Sequence, residues 1–397
     1  MMRRRTLNAP LLPVAASLIA GIVAGRHVEA DEWYGLMALA ACVATTMLLT
    51  RWPRWQTMGI WICAAVAGFC LSNHELRVAE PTLIRQARQH MLQVRSVLTQ
   101  QYQDAGLEGE AYAIVSAMTL GDKSAMTPDI RTAYNETGAS HVLALSGLHL
   151  GIIYWFITFV TVGRRWRLFS QVVTVLAIWA FAFLTGLPAS IVRSATMLSV
   201  YGLMNLGYRR QANINILAFT AIVMLVISPS AVFDISFQMS FLAVLSILLF
   251  YPLLYDLIPL PFLQRHPVVR CLWATVVLSV SAQMGVAPLI AYYFHRFSTY
   301  FLLANFVVIP EGYLILFGAL ALLVSGSAIV ASALSAVAAT AYRLLSMIAL
   351  LPGASVEPLQ PSVVQVCLLY VVAGCMYVAA ARWPMTKWGM ARLLYIR

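Results

Sequence analysis

About twelve apolar runs, each of roughly 15 to 26 residues, follow one another along the chain with short polar stretches between most of them. A helix that crosses a bilayer needs about 20 apolar residues, within a range of about 17–25. The runs fall at residues 10–25, 34–50, 58–72, 140–162, 170–187, 190–206, 213–228, 236–255, 271–292, 299–324, 328–351 and 361–381. Of 397 residues, 61% are apolar and 10% are charged, where a soluble domain carries about 25% charged residues. So little polar surface cannot cover a water-soluble globule, which excludes an ordinary soluble enzyme, and a chain this apolar is not disordered. A membrane β-barrel would read as alternating segments of about ten residues, whereas these runs are continuous. The expected fold is an all-α polytopic membrane protein with about 12 transmembrane helices.

The polar stretches alternate in charge. Arg3–Arg5, Arg51 with Arg54, Arg164, Arg165 and Arg167, Arg209 with Arg210, Arg265 with Arg270, and Arg382, Lys387, Arg392 and Arg397 fall on one side of a twelve-span chain. Residues 27–32, 186–190, 228–233 and 352–361 fall on the other and are acidic or neutral, with His295–Arg296 as a mildly basic exception. The excess of cations in cytoplasmic loops then places both termini in the cytoplasm. Residues 1–72 form three N-terminal spans, 73–139 a polar segment outside the cytoplasm, 140–381 the core, and 382–397 a basic cytoplasmic tail.

The net charge is +11, and among the cations only Lys123 and Lys387 are lysines. Arginine keeps its charge when partly desolvated and forks onto phosphate. Such a set suits a polyanionic cargo, and it equally suits lipid headgroups beside cytoplasmic loops. The six cysteines all lie in apolar runs without metal-ligand spacing, so neither a disulfide framework nor a metal site is expected, and no cofactor.

Within 73–139, Ile84, Ala87, Met91, Val94 and Leu98 recur at helical spacing, flanked by Arg85, Arg88 and Arg95. This predicts an amphipathic helix over 82–103, a guide for a polyanion or a helix resting on headgroups. Thr127-Pro128-Asp129 reads as a helix start, with threonine as cap and proline at the first helical position.

Polar residues enter five of the apolar runs. Thr137 to Gly151 opens the fourth span with His141, Ser146, Gly147 and His149. Ser146 and His149 are three apart and share a face if that span is one helix. Arg193 lies near mid-depth in the sixth span. Asp234 and Gln238 stand one turn apart at the start of the eighth, and Gln283 precedes Pro288 in the ninth. Asn305, Pro310, Glu311 and Gly312 share the tenth, which reads as a broken helix. A charge alone at bilayer centre costs about 2.5–3.5 kcal/mol on insertion scales. Counted from the turn near Ser325–Ser327, Glu311 and Arg343 have similar depth, so they are expected to pair, with Arg193 as the rival partner for Glu311.

These segments together resemble the ComEC-type competence membrane channel family. The resemblance rests on Thr137–His149, on the turn Gly121-Asp122-Lys123-Ser124, on Asp234–Ala243, on Ala287–Phe294 and Ala304–Pro310, and on Arg193 with Gly202 and Tyr208–Arg210, all in the family's order. It implies an inner-membrane channel that passes single-stranded DNA during natural transformation. The path would be lined by His141, Ser146, Gly147, His149, Arg193, Gln238, Gln283 and Asn305. The implied partners are single-stranded DNA, a cytoplasmic ATP-driven helicase or translocase, a periplasmic DNA-binding competence protein, membrane lipid and, as one option, a homo-oligomer. The channel itself would be passive. The oligonucleotide-binding-type β domain of many members is replaced here by the helical 73–139. No His-x-His-x-Asp-His cluster marks the metallo-β-lactamase-like domain that many also carry, so a nuclease step is expected of another protein.

Two other readings start from the same residues. A small-solute or lipid transporter fits a twelve-helix scaffold, although halves with matching broken segments are not evident. An intramembrane hydrolase would use Ser146 and His149, without an evident third group to orient the base. A pump in this chain is disfavoured, because no Gly-Lys-Ser/Thr phosphate loop occurs.

Reporter fusions at both termini are expected to read cytoplasmic, and one near Gln103 to read the opposite side. A cytoplasmic signal at Gln103 overturns this topology.

Overall fold

Backbone amides in runs this apolar can be satisfied only within their own segment, and the chain is helical almost throughout. The computed structural model describes residues 9–28, 32–73, 82–143, 145–160, 167–206 and 213–382. Arg3–Arg5, Arg164, Arg165, Tyr208, Arg209, Arg210, Lys387, Arg392 and Arg397 lie outside them. In chain order the helices are α1 (Leu11–His27), α2 (Glu32–Leu48), α3 (Pro53–Asn73), α4 (Thr82–Asp104), α5 (Gly109–Leu120), α6 (Pro128–Glu136) and α7 (Ser140–Leu143). They continue as α8 (Gly147–Val160), α9 (Arg167–Leu184), α10 (Ala189–Leu206), α11 (Asn213–Ile227), α12 (Ile235–Tyr255) and α13 (Leu260–Arg265). The last four are α14 (Pro267–Phe294), α15 (Phe301–Ser325), α16 (Ala328–Ala349) and α17 (Val363–Arg382).

A helix stands at each of the twelve expected places. Among the described residues, seven helices are long and apolar enough to cross a membrane: those around α2, α3, α12, α14, α15, α16 and α17. The apolar helices α1, α8, α9 and α11 are shorter, and α10 is interrupted by Arg193, Ser194 and Thr196. The chain is an all-α polytopic membrane protein. Its two strands among the described residues, Phe297–Ser298 and Ser355–Val356, pair antiparallel and clasp the α14–α15 turn to the α16–α17 loop. Arg296 and Glu357 reinforce that clasp at 3.1 Å.

At the N-terminal end, α1 and α3 meet backbone to backbone. A Cβ on Gly21 would strike the carbonyl of Ala65, and one on Gly68 the carbonyl of Leu18. Close approach of this kind replaces the hydrophobic drive that is missing between helices in lipid. Leu18 and Ile22 of α1 then pack with Ala221 and Leu225 of α11 and Phe237 of α12. α2 leaves Trp33, Tyr34, Met37, Met47 and Leu48 exposed.

The segment 73–139 divides in two. α4 is the expected amphipathic helix, and of the expected stripe Met91, Val94 and Leu98 are sheltered. Ala87 is exposed, while Thr99 and Tyr102 are buried beside the half-buried Met91, Leu92, Arg95 and Leu98, and the helix lies on α5, α9 and α15. Protein therefore covers that face. α5 is not amphipathic, because nine of its 12 residues are buried. It packs on α15 and α16 at the centre of the largest core cluster, with Ile114, Met118, Tyr134, Ile315 and Leu334. A helix apolar all round belongs in an interior. Its polar groups are satisfied locally: Thr119 donates to Val115 O at 2.7 Å and meets the Tyr102 hydroxyl at 3.2 Å. Burial pushes the Tyr102 phenol up to about 12.

Gly21→Leu is expected to lower the thermal stability of the detergent-solubilised chain by about 1–3 kcal/mol or more, since overpacking here meets backbone. Gly374→Ala in α17, where a Cβ would have nothing within 4 Å, is expected to be neutral or stabilising by up to about 1 kcal/mol. Equal melting curves for Gly21→Leu and the unmodified chain would show that the two backbones are not held in contact.

Candidate functional site

Thr127 opens α6 by accepting a hydrogen bond from Ile130 N at 3.4 Å, with Pro128 at the first helical position, as the sequence predicts. Gly138 follows the end of α6 at φ 75°, and a Cβ there would approach Ser298 at 3.1 Å. The turn is therefore wedged against the strand clasp. His141 donates from Nδ1 to Gly138 O at 3.0 Å, and its side chain stays exposed.

The fourth expected span is not one helix. Leu145 and Ser146 are not helical, and α8 begins at Gly147. Ser146 stands just before α8, and its carbonyl accepts from His149 N at 3.2 Å. His149 reaches back so that Nδ1 accepts from Ser146 N at 3.3 Å and meets Ser146 Oγ at 3.3 Å. This is one half of a capping box, with histidine in the place usually held by glutamate or glutamine, while Ser146 Oγ turns to the ring rather than to His149 N. The orphan amides of a first helical turn explain the Ser-Gly-Leu-His spacing, and the two side chains do not share a helix face. His149 is 1% exposed and its Nε2 has no hydrogen-bond partner. Among the described residues no carboxylate stands behind the ring, as a Ser/His nucleophile pair would need.

The remaining motif residues join neighbouring helices one to the next. Ser190, one residue into α10, donates to Leu145 O at 2.7 Å, and Ser194 Oγ lies 2.8 Å from where a Cβ on Gly147 would be. On another side of α10, Arg193 faces Asp234 at the start of α12, Nη1 to Oδ2 3.9 Å. Gln238 of α12 accepts from the Tyr293 hydroxyl of α14 at 3.0 Å and donates to Val232 O at 3.0 Å. Asn305 of α15 donates to Ser279 of α14 at 2.9 Å. Phe317 of α15 returns to Phe156 of α8, with ring centroids 5.2 Å apart. The contacts run α8, α10, α12, α14, α15 and back to α8, a closed circuit. Gln283 is half-buried on α14 and makes none of these ties.

Three expectations about charge are corrected. Arg193 lies near the start of α10 rather than at mid-depth, because α10 begins at Ala189, about 6 Å away along the axis at the helical rise. Glu311 is 3% exposed and accepts from the Tyr134 hydroxyl of α6 at 3.0 Å, and neither Arg343 nor Arg193 pairs with it. Arg343 is on the exposed side of α16. The inward stripe is Ala331, Leu334, Ala338, Ala341 and Leu345, and two residues beyond Ala341 is about 200° around the helix. Similar depth does not bring two side chains together when one points away. Finally, α15 runs unbroken through Pro310. One proline removes one N–H, and the rest of the ladder carries the helix.

Burial, then the charge and hydrogen bond of Glu311, push the Tyr134 phenol above its ordinary range, so it remains the donor. Glu311 Oε2 has no hydrogen-bond partner. On α4, Arg85 is exposed while Arg88 and Arg95 are half-buried. Arg95 Nη1 lies 3.9 Å from the place of a Cβ on Gly186, in the α9–α10 turn. No sequence pattern singles out Arg26 of α1, whose guanidinium lies 4.3 Å over the Phe233 ring, next to Asp234. The same holds for Tyr134, Ser190 and Tyr293, which become polar partners only when helices far apart in sequence meet.

A model of the family described as Competence protein matches residues 118–383, from the end of α5 through α17. The chain belongs to the Competence protein family. Among similar proteins, ComE operon protein 3 of Bacillus subtilis is 31% identical over 206 residues, 51% of this chain and 25% of that protein. An uncharacterized protein of Aquifex aeolicus is 28% identical over 158 residues, 39% of this chain and 37% of its own length. The uncharacterized protein YcaI of Escherichia coli is 24% identical over 208 residues, 50% of this chain and 27% of its own. The matched part is thus a quarter to about a third of each relative. No solved structure matches the chain. The Competence protein match contains the Ser146–His149 cap and every tie of the circuit.

Tyr134→Phe is expected to destabilise the chain by about 1–3 kcal/mol, because it leaves a buried carboxyl without its donor. Tyr134→Phe with Glu311→Leu is expected to recover most of that loss. Thermal unfolding in detergent reads both, and a double variant no more stable than the single would show that the hydrogen bond does not join α6 to α15.

Proposed function

We propose that this member of the Competence protein family is a passive inner-membrane channel for single-stranded DNA taken up during natural transformation. The closed circuit of α8, α10, α12, α14 and α15 carries this reading. Its ties are made by residues on which the family resemblance rests: Leu145 and Gly147, Arg193 with Asp234, Gln238 with Tyr293, and Asn305. Three basic groups, Arg26, Arg95 and Arg193, stand near the α9–α10 turn and the start of α12. Arginines suit phosphate oxygens, and neutralised phosphates supply most of the affinity of a sequence-independent DNA path.

In this reading 73–139 lies outside the cytoplasm and both termini lie within it. A periplasmic DNA-binding competence protein delivers the strand past Arg85, Arg88 and Arg95. A cytoplasmic ATP-driven helicase or translocase pulls it, and the channel supplies the path and no chemistry. Ser146 and His149 hold the first turn of α8 in register against α10, and Gly147 lets Ser194 approach.

Deleting the gene in a transformable host is expected to abolish transformation by added DNA, and complementation to restore it. Gly147→Leu is expected to reduce transformation at least tenfold at unchanged membrane abundance, because about 1.4 kcal/mol of misplacement is a factor of ten. Normal transformation in the deletion strain would overturn the function, and normal transformation by Gly147→Leu would remove the α8–α10 contact from the path.

A further inference from the structure

Arg193 is 2% exposed, yet its partnership is incomplete. Among the described residues its one carboxylate partner is Asp234, at 3.9 Å, longer than a charge-assisted hydrogen bond of about 2.7–2.9 Å. Its Nε is buried without a hydrogen-bond partner, so donors of its planar fork are left over. Asp234 differs in both respects. Its side chain is 45% exposed, and Oδ1 is already engaged, accepting from Ser236 N at 3.0 Å as the cap of α12. A buried cation is thus held against an anion that faces water and is shared with a helix cap. Among the described residues near this point, Arg26 stacks on Phe233, and Gln238 is held by Val232 and Tyr293.

We propose that Asp234 is a placeholder for a phosphodiester group. When DNA enters, a backbone phosphate takes the place of the Asp234 carboxylate on the Arg193 guanidinium, and Asp234 remains on its cap, turned to water. The fork left with a spare donor can donate to two phosphate oxygens, a place that one carboxylate oxygen at 3.9 Å does not fill. The exchange makes passage cheap, because Arg193 is paired before, during and after a phosphate passes. This inference rests on the proposed DNA path and adds to it a residue that competes with the strand.

Asparagine caps a helix about as well as aspartate, so Asp234→Asn removes the competing charge and keeps the cap. The probe is a fluorescein-labelled oligothymidylate, its binding to the full chain in detergent micelles measured by anisotropy over a range of salt. Asp234→Asn is expected to tighten binding by about threefold, the worth of a partly exposed ion pair. Arg193→Gln is expected to weaken it and lower the salt slope by about 0.7, one phosphate on a single strand. A pair that is merely structural would leave oligothymidylate affinity unchanged or weaker in Asp234→Asn, and that result overturns the placeholder while leaving the channel reading in force. Because lipid headgroups carry the same phosphate, Asp234→Asn is also titrated with phosphatidylglycerol micelles. A gain for the lipid without a gain for the oligonucleotide likewise overturns it. Absence of oligothymidylate binding by the unmodified chain at low salt would overturn both this inference and the channel.

Discussion

A polar side chain inside an apolar bundle has no water to turn to, and its partner must come from another helix. That constraint orders the whole C-terminal part of this protein. Ser190 with Leu145, Arg193 with Asp234, Tyr293 with Gln238, and Asn305 with Ser279 each join one helix to its neighbour. Interhelical hydrogen bonds in membranes average about 0.6 kcal/mol and reach about 1.7 kcal/mol. Four such ties are a modest source of stability. Their larger effect is on register, because each fixes which turn of one helix faces which turn of the next, and the chain of ties closes on α8.

Between the ties, small residues and apolar cores set the distances. A Cβ on Gly285 of α14 would come within 2.5 Å of the Leu242 carbonyl of α12, so these two helices also meet backbone to backbone, less tightly than α1 and α3 do. Elsewhere the bundle is filled from outside the spans. α5 and α6 bring Ile114, Met118 and Tyr134 against α15 and α16, and Tyr134 meets the buried Glu311. The polar-looking stretch between the third and fourth spans therefore supplies a core helix to the C-terminal bundle, while α4 and α6 present polar faces to the outside. This joins the proposed mouth to the circuit: a displacement of α5 or α6 is felt at α15.

The placement of charge follows the same logic. Cations with nothing to hold them, such as Arg343, sit on exposed faces. The buried ones are Arg193, beside a carboxylate it holds only loosely, and none other among the described residues. An arginine kept buried but under-satisfied is costly unless something completes it, and in the proposed path a phosphate of the strand does so.

Fold class is legible in the amino-acid sequence, because hydrocarbon admits one solution for a continuous apolar run: a helix. Run length, the start of α6 at Thr127-Pro128, and the amphipathic period of α4 follow from local chemistry alone. The motif residues are legible as well, since polar groups within apolar runs stand out. Their partners are not. Helical period gives direction only relative to the same helix, so Arg343 and Glu311 match in depth and point apart, while Glu311 finds Tyr134, 177 positions away. Ser146 and His149 have the spacing of a shared helix face, and the capping of a first turn brings them together instead. The sequence by itself determined which segments are helices and which side chains must be paired. Only the tertiary structure decided with whom, because a partner is chosen by rotation and register between helices, and those depend on every other contact in the bundle.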